Sequence, residues 1–75
     1  MNINDVVIHV NETLDAQERR DLEDQMREID GVIAPRLNDR KTHLMIVAYD
    51  PEHTSTIMLL DTVRGQGYHA QHCGA

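Results

Sequence analysis

The chain alternates short β-patterned runs with longer helical ones. Residues 3 to 10 read Ile-Asn-Asp-Val-Val-Ile-His-Val. Val6, Ile8 and Val10 recur at every second position among β-branched neighbours, which predicts a strand with one buried face. Residues 11 to 14 follow as a loop. From 15 to 30 the period changes. Leu22, Met26 and Ile29 recur at spacings of four and three, so they form one stripe on a helix whose other positions are mostly charged or amide. Asp15 followed by Glu18 has the spacing of a capping box, and Gly31 supplies the stop.

Residues 32 to 38 predict a second strand. Pro35 has no N–H to give to a ladder, which places this strand at a sheet edge. Asn38-Asp39-Arg40-Lys41 reads as a turn. Residues 42 to 49 form a third strand, apolar without interruption after His43. Asp50-Pro51 ends it. Ser55 or its threonine neighbours cap a second helix over 55–65, with Ile57, Met58, Leu59, Leu60 and Val63 as its apolar positions. Gly65-Gln66-Gly67 closes that helix, and residues 68 to 73 form a last short strand. The order β-α-β-β-α-β predicts a single α+β domain over residues 1–75, a ferredoxin-like sandwich. Right-handed crossovers give an antiparallel four-stranded sheet in the order 4-1-3-2, with both helices on one face. In that order strand 2 is an edge, where Pro35 needs it to be.

Composition narrows what such a domain can be. At 75 residues the chain sits near the lower limit for folding on one core. Cys73 is its only cysteine, so no internal disulfide helps, and there is no Trp or Phe, so aliphatic residues and Met fill the core. Seven Lys and Arg against 13 Asp and Glu give a net charge of −6, which disfavours nucleic acid as a partner. Arg36, Arg40 and Lys41 make one small basic group at a solvated turn. No apolar run approaches the ~20 residues of a membrane span. The N-terminus lacks the basic and apolar regions of a signal peptide, so the expectation is a soluble cytoplasmic protein.

Several residues, in order, resemble the heavy-metal-associated domains of copper chaperones and metal-transporting ATPases. Gly31-Val32 after the first helix, Val47-Ala48-Tyr49-Asp50-Pro51 at the end of strand 3, and Gly67-Tyr68-His69-Ala70 after the second helix match that family's pattern. The resemblance covers nearly the whole chain. It implies the ferredoxin-like fold and a metallochaperone-related role, with Tyr68 supporting the loop before the first helix. The family's metal-binding Met-x-Cys-x-x-Cys falls on Thr13 to Glu18, where both cysteines are replaced by carboxylates, Asp15 and Glu18. Monovalent copper prefers thiolate, whereas carboxylate suits hard cations.

Other ligands are therefore worth locating. His69, His72 and Cys73 concentrate nitrogen and sulfur donors that suit copper, zinc or nickel. Strand alternation sets His72 on the opposite face from Cys73, and leaves His69 and Cys73 about 13 Å apart. His9 on strand 1 and His69 on strand 4 are expected on one face, where a cross-strand pair can hold a metal between two subunits. His43 and His53 have no partner near in sequence. Asp15 and Glu18 fit a divalent cation or, with fewer demands, a helix cap. Val7, Ile33, Leu44, Ile46 and Ala48 are expected on the open sheet face, where a polar surface is usual, and this points to a partner or a second copy stacked there. No nucleophile with a base, and no glycine-rich phosphate loop, supports an enzyme. The sequence thus leaves two functions: a metallochaperone-related protein with atypical or weak metal binding, or an interaction and dimerisation module on the same fold.

Overall fold

The computed structural model describes residues 2–37 and 43–73. The predicted turn at 38–41, with Arg40 and Lys41, lies outside the described residues. The elements are β1 (Asn4–Val10), α1 (Ala16–Arg27), β2 (Val32–Leu37), β3 (Leu44–Tyr49), α2 (Thr56–Gly65) and β4 (Ala70–Cys73). The four strands form one antiparallel sheet in the order β2-β3-β1-β4, the predicted order read from its other edge.

The central pair β1–β3 is in register with Val6 opposite Val47 and Ile8 opposite Met45. Residues that pair share a face, so these four point together, and all four are buried. Leu22 and Met26 of α1 and Leu59 and Val63 of α2 close over them, which is the core. Four apolar residues on two helices against one sheet face explain how a chain without Phe or Trp folds. Pro35 lies on the edge strand β2, opposite Val47, and is buried there without a neighbour on its outer side to need its N–H.

β1, β3 and α2 begin at Asn4, Leu44 and Thr56, one or two residues inside the expected ranges, and three further differences each have a local reason. α1 ends at Arg27 rather than at residue 30, because Glu28 is already its cap and Ile29 closes a tighter bond to Met26 O, 3.1 Å. Ile29 still packs against the core. β4 begins at Ala70 rather than Tyr68, because the amide of His69 donates to the Glu12 carboxylate instead of to a strand. β2 carries an irregularity between Val32 and Ala34, so Ile33 is an extra residue facing no partner in β3.

Gly31 joins α1 to β2 at φ +97°, where L side chains are strained. A Cβ there would lie 2.8 Å from the Cβ of His53 and 3.2 Å from Cγ2 of Thr54. Gly31→Ala therefore meets both a backbone and a steric penalty. It is expected to destabilise the fold by about 1–3 kcal/mol, measured by urea unfolding. An unchanged midpoint would show that this junction tolerates a side chain.

Candidate functional site

The β1–α1 loop is where the resemblance places metal chemistry, and its geometry is fixed by α1. Asp15 is the N-cap, with φ −77° and ψ 177°. Its Oδ1 accepts from the Glu18 amide at 2.8 Å, while Glu18 Oε1 accepts from the Asp15 amide at 3.1 Å. Each carboxylate thus satisfies a backbone donor that the helix start leaves open. Leu14, just before the cap, is buried and anchors the loop.

The same end of the sheet holds an acidic group around Tyr68. Burial pushes the Tyr68 phenol above its usual range, and the charges of Glu18, Asp21, Asp15 and Glu12 push it the same way. Tyr68 is partly buried and packs against the core. Glu12 is held by His69 twice, through the backbone amide at 2.8 Å and Nδ1 at 2.7 Å. The His69 side-chain bond is the main force holding the Glu12 carboxyl below its ordinary value, against the opposing effect of burial.

The predicted metal ligands do not converge. His72 pairs with Ile8 and Cys73 with Val7, so they lie on opposite faces of the sheet. His9 pairs with Gln71, not His69. Among the described residues no group of three or more His, Cys, Asp or Glu is arranged to hold a metal ion. The histidine that His9 does meet is His43, whose ring lies 5.7 Å away, centre to centre, at 19°. His43 Nδ1 is 2.8 Å from Val10 O and donates to it, which leaves Nε2 as the acceptor. Gln71 Nε2 sits 2.7 Å from His9 Nδ1 and also donates to Asn11 Oδ1 at 3.1 Å. Sequence reading missed this pair because it depends on the β1–β3 register, which no local pattern encodes.

The open sheet face is the second candidate. Val7, Leu44 and Ala48 are partly buried and Ile46 is 46% exposed, all on the face away from the helices. Ile33 is 47% exposed at the irregularity in β2. A separate cleft of about 490 Å³ lies at the far end of the sheet from the loop, between Ile29, Pro51, His53 and Met58, and touches none of these residues.

Oxidized MerP from Ralstonia metallidurans CH34 superposes with a TM-score of 0.86 over 97% of this chain and 100% of that one, at 15% identity. The N-terminal domain of a potential copper-translocating P-type ATPase from Bacillus subtilis, in its Cu(I)-loaded state, gives 0.87 over 97% and 90%, at 20% identity. The CopZ metallochaperone gives 0.83 over 91% and 100%, also at 20% identity. The fold is that of the heavy-metal-associated domains. No protein-family model matches the sequence, and no curated protein matches it. At these identities the likeness is one of fold, and function must be argued from the residues. Among the described residues no helix is long and apolar enough to cross a membrane.

At the far end of this heavy-metal-associated fold, His53 Nδ1 lies 2.9 Å from Asp50 Oδ2. The Asp50 carboxyl is held below its ordinary 3.8 chiefly by the Glu52 amide, with His53 adding to it. The His53 imidazole is raised above its ordinary 6.5, chiefly by its hydrogen bond to Asp50. A raised His contributes stability below pH 6.5 and loses it as pH rises through the folded value; a depressed Asp contributes above 3.8 and loses it as pH falls. The pair thus stabilises most between those limits. The difference in urea midpoint between wild type and His53→Gln is expected to peak near pH 5 and shrink by pH 8. A difference that grows toward pH 8 would contradict this assignment.

Proposed function

We propose that this chain is a metallochaperone-related protein of heavy-metal-associated fold that acts by docking to a protein partner, and does not carry a soft metal in its β1–α1 loop. The observation that carries the reading is the reciprocal cap of Asp15 and Glu18. Its oxygens are hard donors, and one from each carboxylate, Asp15 Oδ1 and Glu18 Oε1, is already committed to a backbone amide, at 2.8 and 3.1 Å. They do not fit monovalent copper, which needs thiolate. A hard divalent cation would need further oxygens, and it would have to compete for these. The reading assigns the chain no catalytic step.

Atypical, weak metal binding is the second reading, and the His9–His43 pair favours it. The bond from His43 Nδ1 to a backbone carbonyl is the arrangement that presents Nε2 to a metal such as zinc, nickel or copper. Two imidazoles without a third protein ligand support weak binding only. His69, His72 and Cys73 add little to this, being spread over the strand start and both sheet faces.

Titration of the reduced protein with Cu(I), Zn(II) and Ni(II) in a calorimeter separates the readings. The expected result is no sub-micromolar stoichiometric Cu(I) binding to wild type. Asp15→Cys with Glu18→Cys restores two thiols on one helical turn and is expected to create it. Weak Zn(II) or Ni(II) binding lost in His9→Ala and His43→Ala would establish the second reading. Tight Cu(I) binding by wild type, abolished by Asp15→Ala, would overturn the first.

A further inference from the structure

The strand register lays out the open face as three rows. Ala34, Ala48 and Asp5 form one; Arg36, Ile46, Val7 and Cys73 the next; Leu44, His9 and Gln71 the third. The formal charges in these rows are Asp5 and Arg36, which cancel. In a chain of net charge −6, this is a neutral surface on which two copies can meet without facing each other's excess carboxylates.

The two charges are also placed for self-recognition. With strands about 4.8 Å apart and alternate residues about 6.8 Å apart, Asp5 and Arg36 are separated by about 10 Å across the sheet and about 7 Å along it. A two-fold axis in the plane of the face, through the point midway between them and perpendicular to the line that joins them, puts each Asp5 over the other copy's Arg36. One operation makes both pairs, as a two-fold interface requires. The axis passes near β3 between Ile46 and Ala48, and runs within about 2 Å in projection of Ile46, Val7 and Ala48. The apolar residues therefore fall at the centre and the charges at the flanks. The strands of the two sheets cross at about 70°, close to the orthogonal class of sheet packing.

We infer that the open face binds a second copy of this chain, two-fold and face to face, with Ile46, Val7 and Ala48 at its centre and reciprocal Asp5–Arg36 pairs at its edges. This rests on the docking reading above and names its partner. The face measures about 20 by 20 Å, so each copy contributes about 400 Å². That is small for a stable complex, so the association is weak.

Sedimentation velocity from about 10 µM to about 1 mM, with chelator and reductant present, tests it. Chelator removes any metal bridge, and reductant removes any Cys73 disulfide. Wild type is expected to shift from monomer to dimer over this range. Asp5→Arg and Arg36→Asp, both at exposed positions, each weaken association about tenfold by opposing like charges. The double variant Asp5→Arg with Arg36→Asp restores it, a rescue that a general loss of fold would not give. Ile46→Glu abolishes the dimer. A wild type still monomeric at 1 mM overturns the inference, as does a dimer indifferent to the charge swaps. Neither result bears on copper binding, so the docking reading would survive with a different partner.

Discussion

The register of β1 against β3 is the constraint on which the molecule depends. With Val6 opposite Val47 and Ile8 opposite Met45, Val6, Ile8 and Val10 enter the core while Val7 and His9 face outward. A slip of one residue would exchange the two faces and leave α1 and α2 without apolar surface to cover. The same register sets the open face, with Val7 beside Ile46 and His9 beside Leu44. It also draws His43 close enough for its carbonyl to accept from Val10 and for its ring to stack on His9. Core, exposed apolar surface and histidine pair are thus three results of one pairing.

The loop end of the sheet shows how one local spacing serves two chemistries. Residues three apart across a helix start can both reach a metal, if they are thiols. The same two positions are N-cap and N3, and with carboxylates they reach each other's backbone amides. Asp15 and Glu18 take the second course, and Glu12 with His69 ties the loop to the start of β4. The loop is therefore held by bonds internal to the chain. A heavy-metal-associated fold can keep its shape at this end without the metal clasp that the spacing otherwise allows.

Much of this was legible in the sequence where the signal is local. Period-two residues in β1, the stripe of Leu22 and Met26, Pro35 as an edge marker and the Asp15–Glu18 spacing each act within a few residues, and the structure places them as expected. What escaped depends on distant partners. The start of β4 is set by Glu12, 57 residues from His69. The irregularity at Ile33 reflects β2 and β3 fitting together, and the His9–His43 stack needs the sheet register. The placement of His72 and Cys73 on opposite faces followed from alternation, because both lie inside a regular strand.

Amide hydrogen exchange across residues 11 to 18 in metal-free protein tests the central claim most directly. A loop closed by its own cap protects the Glu18 amide, which donates to Asp15 Oδ1, and adding Cu(I) or Zn(II) leaves that protection unchanged. Rapid exchange at Glu18 that slows only when metal is added would contradict the account, and would make the metal, not the cap, the clasp of this loop.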